Sequence, residues 1–372
     1  MKPGDVIGGY RVVTEPTNAD GGKCVWAFAE KDGKEYFLKR FLEPKRPREG
    51  SAGSAASRRI RLKTCREFEE RHRSIMKLLR PDASGAGNLV LATDFFHAGS
   101  TYYKVTERID TASLADPQSL GPKQKAVLLR TLATSLRLLH DIDVVHGDLK
   151  TANVLVQKRT AAAFHTAKLI DFDDSYLSGR PPAREEIAGD SLYGAPEWRR
   201  YVRGEESVQA RDLTTAVDVF ALGLMTHLYL TGSLPAYTGR YGSPADAVNA
   251  AEPLVADERL GTPMQALIAA MTSADPAARP TVAGFLEALK DAGLCTLHST
   301  PQPRPAAASG SGSGPAGSGA PEGPRRSRVQ FNPPDRSVHR PPAVTDDGPR
   351  KSRVRINLGR HRDDLPGTRS AP

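Results

Sequence analysis

The sequence predicts an α+β fold in which a strand-rich N-terminal part precedes a mainly helical part. Runs rich in β-branched and aromatic residues, separated by turn-forming residues, predict strands at 10–14, 25–30, 35–42, 89–97 and 101–107. Apolar residues at helical spacing predict helices at 122–140 and at about 214–231, 244–256, 263–273 and 281–291. A chain of 372 residues is long enough to form two lobes around a cleft.

One helix is predicted among the strands, at 59–80. Its apolar residues form a single stripe at helical spacing: Phe68, Ile75, Leu78 and Leu79. The segment before it, 44–57, is polar and rich in turn-forming residues. We expect this segment to be a mobile insertion.

The composition, with 39% hydrophobic and 26% charged residues, is ordinary for a globular protein. The longest mostly apolar run, about 217–230, carries Asp218 and His227, and the N-terminus lacks an apolar signal core. We therefore expect a cytoplasmic protein without a membrane span. Three scattered cysteines indicate neither a disulfide framework nor a zinc site. Arginine outnumbers lysine 36 to 16, which is typical of high-GC bacteria.

Residues 296–372 differ from the rest of the chain. They are rich in Pro, Gly, Ser and Arg and have almost no aromatic residues, so they cannot bury a core and are predicted to be a disordered tail. The tail has 13 Lys and Arg against 6 Asp and Glu, which gives it +7 of the chain's net charge of +9. No aromatic residues alternate with these charges. The pattern therefore indicates a solvated linker rather than a nucleic-acid site.

The densest group of chemically useful residues is the segment 146–153, His-Gly-Asp-Leu-Lys-Thr-Ala-Asn, followed by Asp-Phe-Asp at 171–173. Short β-branched runs flank the first segment and precede the second, so the acidic groups are expected at strand ends. Phosphoryl transfer requires a group that orients the attacking hydroxyl and groups that hold charge-neutralising metal ions.

We assign these roles to four residues. Asp148 is predicted to accept the hydroxyl proton, and Lys150 to reach the transferred phosphate. Asn153 and Asp171 are predicted to bind Mg²⁺, which prefers amide and carboxylate oxygens.

In this order and spacing the motifs resemble those of the protein kinase family over about residues 8–290. Lys39 is similar to the strand lysine that pairs with the α- and β-phosphates. Glu197, in Ala-Pro-Glu, is similar to the glutamate that closes the activation segment. Asp218 resembles the helix aspartate that holds the catalytic loop, and Arg279 resembles the arginine that pairs with that glutamate.

The resemblance implies a two-lobed, protein-kinase-like fold within residues 1–295. A small antiparallel β lobe is expected at about 8–107 and a larger, mainly helical lobe at about 111–292. ATP and Mg²⁺ are the implied cofactors. The segment 106–109 resembles the hinge that meets adenine, and the segment 18–25 aligns with the glycine-rich phosphate loop. The resemblance therefore assigns these residues to the nucleotide site: Gly21, Gly22, Val25, Glu107 and Ile109.

The phosphate loop and the adenine pocket depart from the family pattern. Asn18, Asp20 and Lys23 stand where the family has glycines, so a plain hairpin turn is an alternative reading of this loop. Phe37 replaces a small alanine. Strand alternation places it on the face of Lys39, so we expect a narrowed or reshaped pocket.

Two further departures concern regulation. Asp173 replaces the glycine of the family's Asp-Phe-Gly motif, and its Cβ restricts positive φ, so an in/out switch of this segment is expected to be harder. Gly147 replaces the arginine that binds a phosphorylated activation loop in relatives. The segment 171–197 is also short. We expect constitutive or partner-controlled activity rather than a strong phosphorylation switch.

The sequence does not decide which glutamate of the predicted helix would pair with Lys39. The usual register of the helix at 59–80 puts Arg71 or His72 at that position. Three glutamates lie nearby: Glu67, Glu69 and Glu70. By helical angle Glu67 lies closest to the apolar stripe.

The tail contains a near-duplicate, Pro-Arg-Arg-Ser-Arg-Val-Gln-Phe-Asn at 324–332 and Pro-Arg-Lys-Ser-Arg-Val-Arg-Ile-Asn at 349–357. Basic residues precede Ser327 and Ser352, so we hypothesise that both are phosphorylated, with this chain as a candidate enzyme. The repeats are also candidate sites for a phosphatase or a phosphopeptide-binding partner, because 328–331 resembles a phosphatase docking motif.

Three function classes follow. The leading one is a bacterial, eukaryotic-like Ser/Thr protein kinase acting on protein substrates, because Lys150 marks Ser/Thr specificity in similar enzymes. A small-molecule phosphotransferase is an alternative, since the segment 146–148 also resembles aminoglycoside and choline kinases. The irregular phosphate loop and Phe37 leave a pseudokinase binding module open, although the predicted catalytic set is intact.

Overall fold

A computed structural model describes residues 1–19, 24–48, 54–79, 86–109, 116–158 and 164–299 of the 372. The N-terminal part of these residues forms an antiparallel sheet with one long helix, and the C-terminal part is mainly helical. The predicted two-lobed α+β fold is confirmed. Among the described helices, none is both long and apolar enough to cross a membrane.

Six antiparallel strands form the sheet of the N-terminal lobe. They are β1 (Val6–Ile7), β2 (Tyr10–Val12), β3 (Cys24–Lys31), β4 (Lys34–Phe41), β5 (Ala92–Ala98) and β6 (Thr101–Glu107), in the spatial order β1-β2-β3-β4-β6-β5. The register places Lys39 of β4 opposite Trp26 of β3 and Lys104 of β6. Because paired residues project to the same side of a sheet, these three side chains share one face.

The helix α1 (Ala55–Leu78) packs against that same face. Cys65 and Phe68 of the helix are buried together with Cys24 and Phe41 of the sheet. The helix begins at Ala55 rather than at residue 59, because the Ser54 hydroxyl accepts a hydrogen bond from the Ser57 amide at 3.1 Å and caps the first turn. Three residues of the predicted insertion are therefore helical, and 49–53 lie outside the described residues.

Six helices build the described part of the C-terminal lobe. They are α2 (Pro122–His140), α3 (Pro196–Val202), α4 (Ala216–Thr231), α5 (Pro244–Asn249), α6 (Thr262–Met271) and α7 (Val282–Ala288). The bounds predicted for α2 are confirmed, and α3 was not predicted. The predicted extent of α5 is wrong. This helix ends before Ala251, which has a φ of 61°, and before a proline at 253 that disfavours helical backbone.

Two short strand pairs position the segments that the sequence singled out. β7 (Val144–Val145) pairs with β10 (Tyr176–Leu177), and β8 (Val154–Lys158) pairs with β9 (His165–Leu169). The segment 146–153 runs between β7 and β8, and Asp171 follows β9. Both segments therefore begin at strand ends, as predicted.

A buried ion pair ties α3 to the chain before α7. The Arg279 guanidinium donates to both Glu197 carboxylate oxygens, at 2.7 and 2.8 Å, and also to the Ala216 carbonyl at 2.8 Å. Both side chains are buried. The predicted contact of Arg279 with Glu197 is confirmed.

Arg279→Met should lower the free energy of unfolding by about 3–5 kcal/mol, because it leaves the buried Glu197 carboxylate unpaired. Chemical denaturation followed by circular dichroism measures this loss. The matched double variant, Arg279→Met with Glu197→Gln, removes both charges and should lose less. If Arg279→Met lowers the free energy of unfolding by less than about 1 kcal/mol, the Glu197 carboxylate is accessible to water rather than buried.

Candidate active site

The Asp218 carboxylate anchors the segment 146–153. Asp218 lies in the first turn of α4 and is 1% exposed. Its oxygens accept hydrogen bonds from the backbone amides of His146, at 2.7 Å, and Gly147, at 3.1 Å. The His140 ring lies 3.1 Å from the same carboxylate. These bonds fix the backbone immediately before Asp148, and the predicted role of Asp218 in holding this loop is confirmed.

Asp148, Lys150 and Asn153 form one cluster. The Asn153 amide nitrogen donates to Asp148 Oδ2 at 2.9 Å and to the Asp148 carbonyl at 2.8 Å. Lys150 Nζ lies 2.8 Å from Asp148 Oδ2. Burial lowers the pKa of Lys150, but the hydrogen bond to Asp148 and the negative charges of the nearby aspartates together outweigh burial and hold the pKa above the usual value. Lys150 is therefore a cation beside the Asp148 carboxylate.

Asp148 Oδ1 is buried and has no hydrogen-bond partner among the described residues. A buried carboxylate oxygen without a donor is costly unless a ligand supplies one. Its geometry suits an acceptor for an incoming hydroxyl, because Oδ2 is already occupied by Asn153 and Lys150.

Asp171 is held next to this cluster. The Ile170 amide donates to the Asn153 carbonyl, and the His146 ring contacts the Ile170 carbonyl, both at 3.0 Å. Asp171 itself has a φ of 63°, which is uncommon outside glycine and clusters at functional sites. The two predicted metal ligands, Asn153 and Asp171, are thus tied to neighbouring backbone segments.

Lys39 reaches from the sheet to the segment after β9. Its ammonium donates to both Asp171 oxygens, at 2.9 and 2.8 Å, and lies 2.6 Å from Asp173 Oδ2. Asp173 also accepts from Lys104 at 2.5 Å. Burial lowers the pKa of Lys39, but the carboxylates of Asp173 and Asp171 outweigh it and hold the pKa well above its usual value. Lys39 is therefore charged although it is largely buried.

The described contacts of α1 place no glutamate on Lys39. Glu69 instead accepts hydrogen bonds from Arg46 and Tyr102, both at 2.6 Å, and Glu67 faces Lys63 on the exposed side. The helical-angle preference for Glu67 is therefore wrong, because the stripe faces aromatic residues rather than the ammonium.

His72 occupies the inward position on α1. It is buried against the rings of Phe41, Phe68 and Phe95. Burial lowers the pKa of His72 to about 3, so the helix presents a neutral imidazole here.

The sheet register fixes the side-chain direction of one residue predicted to bind the nucleotide. Val25 lies opposite Arg40 and therefore projects away from the face of Lys39. Cys24, opposite Phe41, lies on the Lys39 face and is buried. Antiparallel pairing has a period of two, so an error of one residue moves a side chain to the other face. The other two predicted loop residues, Gly21 and Gly22, lie outside the described residues.

Comparison with known proteins decides the family. A sequence model of the protein kinase domain matches residues 22–290. The chain belongs to the protein kinase family.

Curated relatives of the kinase come from bacteria and eukaryotes. It is 31% identical over 150 residues to serine/threonine-protein kinase pkn2 of Myxococcus xanthus, a match covering 40% of this chain and 17% of that protein. It is 32% identical over 154 residues to serine/threonine-protein kinase PkaA of Streptomyces coelicolor, covering 40% and 26%. A probable myosin light chain kinase of Dictyostelium discoideum is 30% identical over 155 residues, covering 41% and 47%. The matched segments thus span less than half of each relative.

The donors in the kinase's cleft fit a magnesium ion. Asn153 uses its amide nitrogen to hold Asp148, so its amide oxygen is the atom that can bind a hard cation, together with the Asp171 carboxylate. Among the described residues, no group of three or more His, Cys, Asp or Glu side chains could hold a metal by itself. This donor set is typical of Mg²⁺, which shares its coordination with nucleotide phosphates and water.

The sheet face that carries Lys39 also has an aromatic surface. Phe37 lies on the face of Lys39, as predicted, and its ring is 5.1 Å from Trp26 and 6.2 Å from Phe28. Glu107 ends β6, and Ile109 follows it in the described chain, so the assignment of these two residues to a nucleotide hinge stays a prediction.

Sequence reasoning missed two residues that shape the site. Asp190 lies 3.7 Å from Lys150 and accepts from the amides of Leu192 and Tyr193, so it ties Lys150 to the segment before α3. Burial and the nearby charges of Asp173 and Asp148 raise the pKa of Asp174 to about 6. Nothing in the local sequence marks either aspartate, and only their tertiary neighbours distinguish them.

Gly147→Ala should destabilise the kinase by about 1–3 kcal/mol more than Gly33→Ala does. Both glycines have positive φ, 81° and 71°, so both substitutions carry the backbone cost. Only at Gly147 would a Cβ lie 2.5 Å from a backbone atom, the Asp174 carbonyl oxygen; at Gly33 nothing lies within 4 Å. Thermal unfolding of the two variants measures the difference, and equal losses would contradict the described contact.

Proposed function

We propose that this chain is an ATP- and Mg²⁺-dependent Ser/Thr protein kinase whose activity resides in residues 1–295. The observation that carries the proposal is the unpartnered, buried Asp148 Oδ1 beside the Lys150 ammonium. An acceptor and a cation side by side suit a reaction that takes a proton from a hydroxyl and adds a phosphoryl group to it.

Each residue of the cleft has a part in that reaction. Asp148 Oδ1 accepts the hydroxyl proton, while Asn153 holds Oδ2 and fixes the carboxylate plane. Lys150 stabilises the charge on the transferred phosphate, and Lys39 binds the phosphates that remain with the nucleotide. Asn153 and Asp171 would hold Mg²⁺, which neutralises phosphate charge when bound.

Protein hydroxyls are the proposed acceptors because several features belong to protein kinases rather than to small-molecule kinases. Lys150 and the buried Arg279–Glu197 pair, which holds α3 behind the activation segment, are the strongest of these. Two of the bacterial relatives are named Ser/Thr protein kinases. The tail serines Ser327 and Ser352 lie outside the described residues and are proposed substrates, because basic residues precede both.

A pseudokinase is the second candidate, favoured by the aromatic surface at the adenine end of the cleft. Trp26, Phe28 and Phe37 cover the face where an adenine ring would lie. This candidate predicts binding of a partner without phosphoryl transfer.

Asp148→Asn should lower transfer of labelled γ-phosphate by about 10²–10⁴-fold, because the amide cannot accept the hydroxyl proton. The assay uses the full chain, Mg²⁺ and ATP, with a generic basic protein added. Label should appear on Ser or Thr, with Ser327 and Ser352 among the mapped sites. Label that persists in the variant, or nucleotide turnover without protein label, would contradict the proposal, and the latter would favour a small-molecule kinase.

Ser178→Ala combined with Ser191→Ala should retain transfer activity within about threefold, since Gly147 rather than an arginine stands immediately before Asp148 and cannot bind a phosphorylated loop. Ser175 is left unchanged because it is buried and donates to the His146 carbonyl at 3.1 Å, so its loss would disturb the loop itself. Initial rates against a fixed protein substrate measure the effect. Abolished activity with an unchanged melting temperature would show that the loop is a phosphorylation switch.

A further inference from the structure

Four charges meet at the back of the cleft, and two of them, Lys104 and Asp173, are buried. Lys39 contacts Asp171 and Asp173, and Lys104 contacts Asp173, with nitrogen–oxygen distances from 2.5 to 2.9 Å. The side chains of Lys104 and Asp173 are only 8% and 10% exposed. Two ammonium groups and two carboxylates balance, and this balance is what allows charges to be buried at all.

Under the proposed function, a metal ion and the Lys39 ammonium compete for the carboxylate oxygens of Asp171. It is a proposed ligand of Mg²⁺, and in the structure both of its oxygens contact the Lys39 ammonium. An oxygen that binds a metal ion is less available to an ammonium, so Lys39 needs a second carboxylate when metal is present. Asp173 is placed to supply it, at 2.6 Å.

Lys104 determines where Asp173 points. It lies directly opposite Lys39 on the neighbouring strand and reaches the other carboxylate oxygen, Oδ1, at 2.5 Å. Asp173 is thus held by two cations on neighbouring strands, Lys39 of β4 and Lys104 of β6.

The described residues of α1 offer Lys39 no such support. Glu69 is engaged by Arg46 and Tyr102, Glu67 faces Lys63, and the inward position is His72. We propose that Asp173, held by Lys104, is the positioning residue that keeps Lys39 directed at the nucleotide phosphates, in place of a carboxylate on α1. The proposal rests on the proposed function, because it assumes that Lys39 and Asp171 bind nucleotide and metal.

The test uses the charge-balanced double variant Lys104→Met with Asp173→Asn. Removing one cation and one anion keeps the cluster neutral, so the fold should survive, whereas Asp173→Asn alone would leave two lysines facing one carboxylate. Isothermal titration of a nonhydrolysable ATP analogue into the full chain, once with Mg²⁺ and once with EDTA, measures affinity without requiring catalysis.

The double variant should bind the analogue with Mg²⁺ about tenfold more weakly, or worse, than wild type. With EDTA the affinity should stay within about twofold, because Asp171 alone can then hold Lys39. The control variant Glu67→Gln with Glu70→Gln removes exposed α1 carboxylates and should match wild type in both titrations. Should the double variant not fold, Lys104→Gln with Asp173→Asn, which is also charge-balanced and keeps polar groups in the cluster, replaces it under the same criterion.

Three results would overturn the proposal: no loss with Mg²⁺, an equal loss with and without Mg²⁺, or a loss in the α1 control. An equal loss would mean that Asp173 and Lys104 only stabilise the lobe. Wild-type protein that binds no analogue in either titration would overturn the proposed function as well, so the two failures are distinguishable.

Discussion

The Asp218 carboxylate is the contact on which the rest of the active site depends. It lies in the first turn of a helix that is almost wholly buried, where the helix dipole favours a negative charge. Through two backbone amides it fixes the loop that carries Asp148, Lys150 and Asn153. The Asn153 carbonyl of that loop then accepts a hydrogen bond from the Ile170 amide and so positions Asp171. The buried Asp218 carboxylate thus sets the geometry of every proposed catalytic group in the C-terminal lobe.

The N-terminal lobe contributes charged side chains to the active site rather than hydrogen bonds that fix its backbone. Lys39 and Lys104 project from neighbouring strands toward carboxylates of the C-terminal lobe, so the two lobes meet across an ionic cluster. Such clusters are costly to assemble and more costly to break singly, which gives the cleft a defined arrangement even though α1 supplies no anion there. Burial of His72 among aromatic rings makes α1 a packing element at this point.

Much of the fold could be predicted because periodicity and local motifs carry it. The bounds of α2, the strand Thr101–Glu107 and the contacts of Asp218 and Arg279 all matched expectation. The errors arose where side-chain direction depends on tertiary context. Helical angle could not decide whether Glu67 contacts the Lys39 ammonium or lies on the exposed side of α1. The face of the sheet on which Val25 lies depended on a strand register that the preceding loop obscures. Nothing local in Asp-Phe-Asp distinguishes Asp173 from a surface aspartate, since its partner Lys104 is distant in sequence.

The chain has two tryptophans, one in each lobe, so both lobes contribute to its intrinsic fluorescence. Trp26 lies half-buried on the cleft face of the sheet, with its ring 5.1 Å from that of Phe37, whereas Trp198 is buried in α3 behind the activation segment. An indole at the cleft responds to the polarity of whatever enters it, while one in the core reports on packing of the helical lobe. The molecule therefore carries, without any label, separate fluorescence reporters for occupancy of its cleft and for integrity of its larger lobe.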